Sequence, residues 1–135
     1  MNKAVLDTDT LSAIMRREPT AIANARAYLS SQSQLSISIV TRYEILRGLS
    51  AKNATLQTAA FHSLCQSMEV LPLSDEVIVR AADIYGTLHR TGQLVGDADI
   101  LIASTCLVSG YEIVTNNTSH FSRVPGLVVR NWLAT

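Results

Sequence analysis

Asp97-Ala98-Asp99-Ile100-Leu101-Ile102-Ala103-Ser104-Thr105-Cys106-Leu107-Val108-Ser109 runs into Gly110-Tyr111-Glu112-Ile113-Val114-Thr115-Asn116-Asn117. The first stretch is apolar on nearly every side, so it predicts a helix buried all round. Asp97 and Asp99 sit at its start, where acids complement the helix dipole. Gly110 is the expected stop, because glycine takes the left-handed conformation that closes a helix. The run from 111 to 115 then reads as a buried strand ending in polar Asn116 and Asn117. A buried helix feeding directly into a strand is the repeating unit of an α/β protein.

The same alternation continues outward from that stretch. Ala4-Val5-Leu6 is a short apolar strand, followed by helices over 8–17 and, from Pro19, 19–31. Leu35-Ser36-Ile37-Ser38-Ile39 alternates apolar and Ser, as a strand does. Thr41 is expected to open a helix through 49, and Leu56, Ala60, Leu64, Cys65 and Met68 mark another. A brief strand over 70–73 contains Pro72, which fits an edge position. Ser74 caps a long helix with the stripe Val77, Ile78, Ala81, Ile84, Tyr85 and Leu88, ended by Gly92. A last strand falls at 127–129. Strands alternating with helices predict an α/β fold, a three-layer α/β/α sandwich on a mostly parallel sheet. At 135 residues, with no linker, repeat or low-complexity tract, 1–135 reads as a single domain.

The composition is 47% hydrophobic and 16% charged, which excludes a disordered chain. Cys65 and Cys106 lie in helical patterns without framework spacing, so they read as buried thiols in a reducing compartment. No apolar run approaches the ~20 residues of a membrane helix, and Asp7 and Asp9 interrupt the one apolar run near the start. A cytoplasmic location is expected. The formal net charge is zero. Setting aside Asp7, Asp9, Glu44, Asp97 and Asp99 leaves six acids against eleven Lys and Arg, a surface compatible with a polyanion.

Asp7, Glu44, Asp99 and Asn117 form the candidate site. In an open α/β sheet, strand C-termini and helix N-termini share one edge, where ligands bind. Asp7 ends the first strand, Glu44 lies one turn into the helix after the Leu35-Ser36-Ile37-Ser38-Ile39 strand, Asp99 opens the buried helix and Asn117 follows the strand after it. Three carboxylates and an amide are hard oxygen ligands, suited to Mg²⁺ or Mn²⁺ and poorly suited to zinc. Each acid alone has an ordinary structural reading. Thr41-Arg42-Tyr43-Glu44 fits a capping box, and Asp7, Asp9, Asp97 or Asp99 could cap helices. Capping leaves Asp7 behind a buried strand, and Asn117 at the equivalent end of another, unexplained. Arg42, Arg47 and Lys52 could form a phosphate-contacting strip or a solvated helix face. His62, His89 and His120 read as surface or packing residues. There is no phosphate-binding glycine loop, no paired-cysteine site and no HExxH zinc motif.

These residues resemble the PIN-domain ribonucleases of the VapC toxin type. The resemblance is carried by Val5-Leu6-Asp7-Thr8-Asp9, by Thr41-Arg42-Tyr43-Glu44-Ile45 with Gly48, and by Gly96-Asp97-Ala98-Asp99-Ile100-Leu101-Ile102-Ala103. Val114-Thr115-Asn116-Asn117 with His120-Phe121, and the closing Asn131-Trp132, complete it. It implies an endoribonuclease dependent on Mg²⁺ or Mn²⁺, acting as the toxin of a toxin–antitoxin pair. It also implies an RNA substrate, a small cognate antitoxin that occludes the site, and a homodimer. Asp7, Glu44 and Asp99 match the family's three acidic, metal-holding positions. Asn117 stands where many members carry a fourth Asp. Asp97 is an acid the motif does not require, and Asp9 stands where members often carry Asn. In the implied reaction, water attacks the phosphodiester in line and leaves 5′-phosphate and 3′-hydroxyl ends.

Two alternatives fit part of the pattern. Asp7-Thr8-Asp9 and Gly96-Asp97 resemble a haloacid-dehalogenase phosphatase, in which an Asp would form an aspartyl-phosphate. Leu11 stands where that family expects Thr or Val, and neither Lys3 nor Lys52 follows a later strand to steady the phosphate. The second alternative is a PIN-like binding module without catalysis, since a fold does not fix a function. Intact Asp7, Glu44 and Asp99 speak against it.

Overall fold

The computed structural model describes residues 2–134. Its elements are β1 (Ala4–Leu6), α1 (Thr8–Met15), α2 (Pro19–Leu29), β2 (Ser36–Ser38), α3 (Ile39–Ala51) and α4 (Thr55–Gln66). They continue with β3 (Glu69–Leu71), α5 (Asp75–Arg90), α6 (Asp97–Ser109), β4 (Glu112–Val114), α7 (Thr118–Phe121) and β5 (Val129–Arg130). The five strands form one sheet in the order β3-β2-β1-β4-β5, and every pairing is parallel. The chain leaves β1 in one direction to build β2 and β3, then crosses to build β4 and β5 on the other side. The order therefore reverses between β1 and β4, and a crevice opens there at the strands' C-terminal ends.

Side-chain alternation divides the core between the two faces of the sheet. Val5 and Ile113 pack into one cluster with Ile84, Leu88, Ile102 and Cys106, beneath α5 and α6. Ala4, Leu6, Ile37 and Val114 pack into the other with Leu11, Tyr28 and Phe61 from α1, α2 and α4. This is the α/β/α sandwich expected from the alternation of elements. α6 is buried from Ile100 to Cys106, apart from half-buried Leu101, and Gly110 closes it at φ +74°. β3 lies at the sheet edge, next to Pro72. Cys65 and Cys106 are both free thiols, Cys106 buried and Cys65 half-buried. Among the described residues, no helix is long and apolar enough to cross a membrane.

Local details differ from the sequence reading. α3 begins at Ile39, because buried Ser38 caps it by accepting the Val40 N–H at 3.0 Å. Thr41 is therefore fully buried inside the helix and forms no capping box with Glu44. In α4, Leu56 is 86% exposed, and Phe61 is the buried anchor. In α5, Ile78 and Tyr85 lie about 100° round the helix from the buried row Val77, Ala81, Ile84 and Leu88, so they face solvent. The last strand falls at Val129–Arg130, two residues later than its apolar run, where it pairs with Ile113 and Val114. The short helix α7 has no apolar periodicity to announce it.

Candidate active site

Asp7 leaves β1 and turns directly into α1. Its Oδ1 accepts the Thr8 backbone N–H at 2.7 Å, so Asp7 is the N-cap of α1. Its Oδ2 accepts the Thr115 hydroxyl at 2.9 Å, from the residue that follows β4. Capping thus accounts for one oxygen, and the second is turned into the β1–β4 crevice. The carboxyl is pushed up from 3.8 to about 7, first by burial and then by the charge of Asp9, with a smaller push from Asp99. The Thr8 and Thr115 hydrogen bonds oppose that rise without cancelling it. The Cys106 thiol on α6 is pushed up as well, by burial and then by the Asp7 charge, which sets α6 directly behind the carboxylate.

The neighbouring positions extend the site. The Thr8 hydroxyl donates to Glu44 Oε1 at 2.6 Å and lies 3.2 Å from the Thr41 hydroxyl. That contact draws α3 towards the start of α1. Glu44 Oε2 also lies 3.6 Å from Arg47, a partly exposed pairing of modest value. Asp9 accepts the Asn116 backbone N–H at 3.1 Å and so straps the β4–α7 turn to α1. Asp99, in the first turn of α6, has its Oδ2 3.0 Å from His120 Nδ1. Asn117 precedes α7, and its backbone N–H donates to the Thr115 hydroxyl at 2.9 Å. Its side-chain amide lies 2.8 Å from the same His120 nitrogen. Asp97 is exposed at the first position of α6.

Asp7, Asp99 and Asn117 therefore lie around the crevice between β1 and β4, and Glu44 reaches it through Thr8. Asp7, Asn117 and Asp99 are joined through Thr115 and His120, and Glu44 is held by Thr8. Among the described residues, no three His, Cys, Asp or Glu side chains already surround one metal position. The Thr8 hydroxyl holds Glu44, and His120 holds Asp99. The donor set is nonetheless all oxygen on the carboxylates, and buried Asp7 faces the charges of Asp9 and Asp99. Both features fit a hard divalent cation.

Sequence reasoning missed Thr8, Thr115 and His120 as parts of this network. Thr8 and Thr115 adjoin residues already singled out, so their positions beside Asp7 and Asn117 were the available signal. His120 stood among the residues that carry the family resemblance, but its contact with Asp99 depends on the turn that folds it back. The strip Arg42, Arg47 and Lys52 does not form one surface. Positions five apart lie about 140° round a helix. Arg42 turns to His62 Nδ1 at 2.9 Å and lies over the Phe61 ring. Lys52 joins Arg16 in a cleft of about 470 Å³ that also contains Thr8 and Glu44.

A five-stranded parallel sheet with carboxylates at its reversal point is the architecture on which a PIN domain is built. The family model for the PIN domain matches residues 4–127, and the chain belongs to that family. It is 29% identical over 133 residues to the tRNA(fMet)-specific endonuclease VapC of Salmonella typhimurium, covering 98% of this chain and 99% of that protein. It is 25% identical over 129 residues to ribonuclease VapC2 of Rickettsia felis, covering 95% and 96% of the two chains. A crystal structure of DNA-bound VapBC from Salmonella typhimurium matches with a TM-score of 0.84 at 28% identity, over 98% of this chain and 99% of that one. The haloacid-dehalogenase reading is set aside by this membership.

Proposed function

We infer that the chain is an endoribonuclease that hydrolyses RNA phosphodiester bonds with Mg²⁺ or Mn²⁺, and that it acts as the toxin of a toxin–antitoxin pair. Family membership and end-to-end likeness to proteins named as VapC ribonucleases support the reaction class. The observation that carries the metal is Asp7: a buried carboxylate at the β1–β4 crevice that faces the charges of Asp9 and Asp99.

Asp7, Glu44 and Asp99 would hold the ion. Once bound, such an ion shields the phosphate charge and makes a coordinated water more acidic. The protein's own groups prepare the ligands. The Thr8 N–H and the Thr115 hydroxyl fix Asp7 from two sides, so little rearrangement is left to it. Thr8 Oγ1 orients Glu44. Asn117 supports the site without adding charge, so one ion is held well and a second only loosely or with help from substrate phosphate. Arg16 and Lys52 line the cleft that reaches Glu44 and suit the backbone of an RNA strand. Water is the nucleophile, leaving 5′-phosphate and 3′-hydroxyl ends.

The antitoxin partner rests on the VapC-type likeness, since the Salmonella typhimurium neighbour is a VapBC assembly. An apolar groove of about 390 Å³ beside Glu44, lined by Ile39, Tyr43, Leu73 and Leu101, suits an apolar antitoxin segment that would block the site. The homodimer is supported by α5, which leaves Ile78, Val79 and Tyr85 exposed. The reaction is tested on total cellular RNA. Discrete cuts should form with Mg²⁺ or Mn²⁺, stop with EDTA and return with excess cation. Cuts that persist in EDTA would remove the metal from the account.

A further inference from the structure

The turn from β4 into α7 joins two of the site's carboxylates through a continuous set of hydrogen bonds. Asp7 Oδ2 accepts the Thr115 hydroxyl, and that hydroxyl oxygen accepts the Asn117 backbone N–H. The Asn117 side chain reaches His120 Nδ1 at 2.8 Å, and Nδ1 reaches Asp99 Oδ2 at 3.0 Å. Buried Phe121 anchors the short helix that carries His120.

The chemistry of that nitrogen assigns the hydrogens. An ionised carboxylate can only accept, so Nδ1 must carry a hydrogen to bond Asp99. A nitrogen that already donates cannot also accept from an amide N–H. The Asn117 amide is therefore turned so that its oxygen faces Nδ1, an orientation that only the hydrogen-bond network can assign. Nδ1–H is then shared between the Asp99 carboxylate and the Asn117 amide oxygen. One Asp99 oxygen is committed to the imidazole, and the other is left for a cation. Partners of this kind orient metal-binding carboxylates from behind.

We propose that His120 is a positioning residue that fixes the Asp99 carboxylate for the cation through Nδ1–H, and that Asn117 acts through His120 and does not ligate the ion. This rests on the reading of Asp7, Glu44 and Asp99 as cation ligands. It also accounts for a neutral amide at position 117: its task is to hold the imidazole, which an amide oxygen does without adding charge.

The test is Mn²⁺ binding to the full chain by isothermal titration calorimetry, with circular dichroism to confirm folding. His120→Ala should weaken Mn²⁺ affinity by about tenfold, the low end for loss of an outer-shell partner. His120→Asn places an amide nitrogen where Nδ1 was and should restore affinity to within about threefold of the wild type. His120→Gln places its amide nitrogen near the Nε2 position and should stay as weak as the alanine variant. Asn117→Ala should weaken binding by less than His120→Ala and add nothing to it in the double variant.

Wild-type affinity in His120→Ala would overturn the proposal. So would rescue by Gln and not by Asn, or a further loss when Asn117→Ala is added to His120→Ala. If Asp99→Asn weakens Mn²⁺ binding while His120→Ala does not, the ligand assignment stands and the role of His120 falls. If neither variant changes the isotherm, both fall together.

Discussion

Asp7 sits where burial and charge oppose each other, and the consequence is measurable without any substrate. Its folded pKa is raised from 3.8 to about 7, so between those values the folded state binds more protons than the unfolded one. Without a cation, the stability linked to Asp7 is fully present below about pH 4 and is lost as pH rises towards 7. A shift of roughly three units sets an upper bound of about 4 kcal/mol. Asp7→Asn removes the charge and keeps the shape. In EDTA its melting temperature should exceed the wild type's at pH 8, and the two should converge near pH 4. Adding Mg²⁺ at pH 8 should raise the wild-type value and leave the variant unchanged, since a ligand stabilises only a fold it binds. Equal melting temperatures at pH 8 in EDTA would contradict a buried charge at Asp7 that costs stability. Asp7 was legible in the sequence because it breaks an apolar run. The groups that fix it were less so, because Thr115 reaches it from 108 positions away.

At the scale of the element, helix ends were read well where a residue with special backbone needs marks them. Gly110 at φ +74° closes α6, and Ser74 caps α5 through the Val77 N–H. α3 was misplaced because two hydroxyls compete for its start, and Ser38 looks like part of the alternating strand before it. Ser38→Ala should cost about 1 kcal/mol, the usual loss of a cap, in urea unfolding followed by circular dichroism. No loss would return the helix start to Thr41. In α4 the predicted stripe holds at its later positions and fails at its start: Leu64, Cys65 and Met68 pack inward with Phe61, whereas Leu56 and Ala60 are exposed. Leu56→Gln should leave stability within about 0.5 kcal/mol, while Phe61→Ala should cost about 3–5 kcal/mol in the same unfolding experiment.

For the whole molecule, parallel topology turns scattered residues into neighbours. The alternation of elements was enough to predict the sandwich, and the reversal between β1 and β4 explains why Asp7 and Asn117 share a crevice. The sequence marked His120 as part of a motif, but its contact with Asp99 depends on the turn after β4, which no spacing encodes. The exposed face of α5 raises a question at this scale as well. Ile78 and Tyr85, seven positions apart and so on one side of α5, are each more than two-fifths exposed, an apolar strip that suits a second copy of the chain. Ile78→Glu with Tyr85→Glu should convert a dimer to a folded monomer in light scattering after size exclusion. A dimer that survives both charges would move the interface elsewhere.

The central claim is that Asp7, Glu44 and Asp99 share one divalent cation. Crystals of the chain soaked in Mn²⁺ and measured for anomalous scattering test it most directly. One strong peak is expected in the β1–β4 crevice, with carboxylate oxygens of Asp7 and Asp99 at about 2.0–2.3 Å and Glu44 bound directly or through water. A strong peak away from these carboxylates, with none beside Asp7, would contradict it.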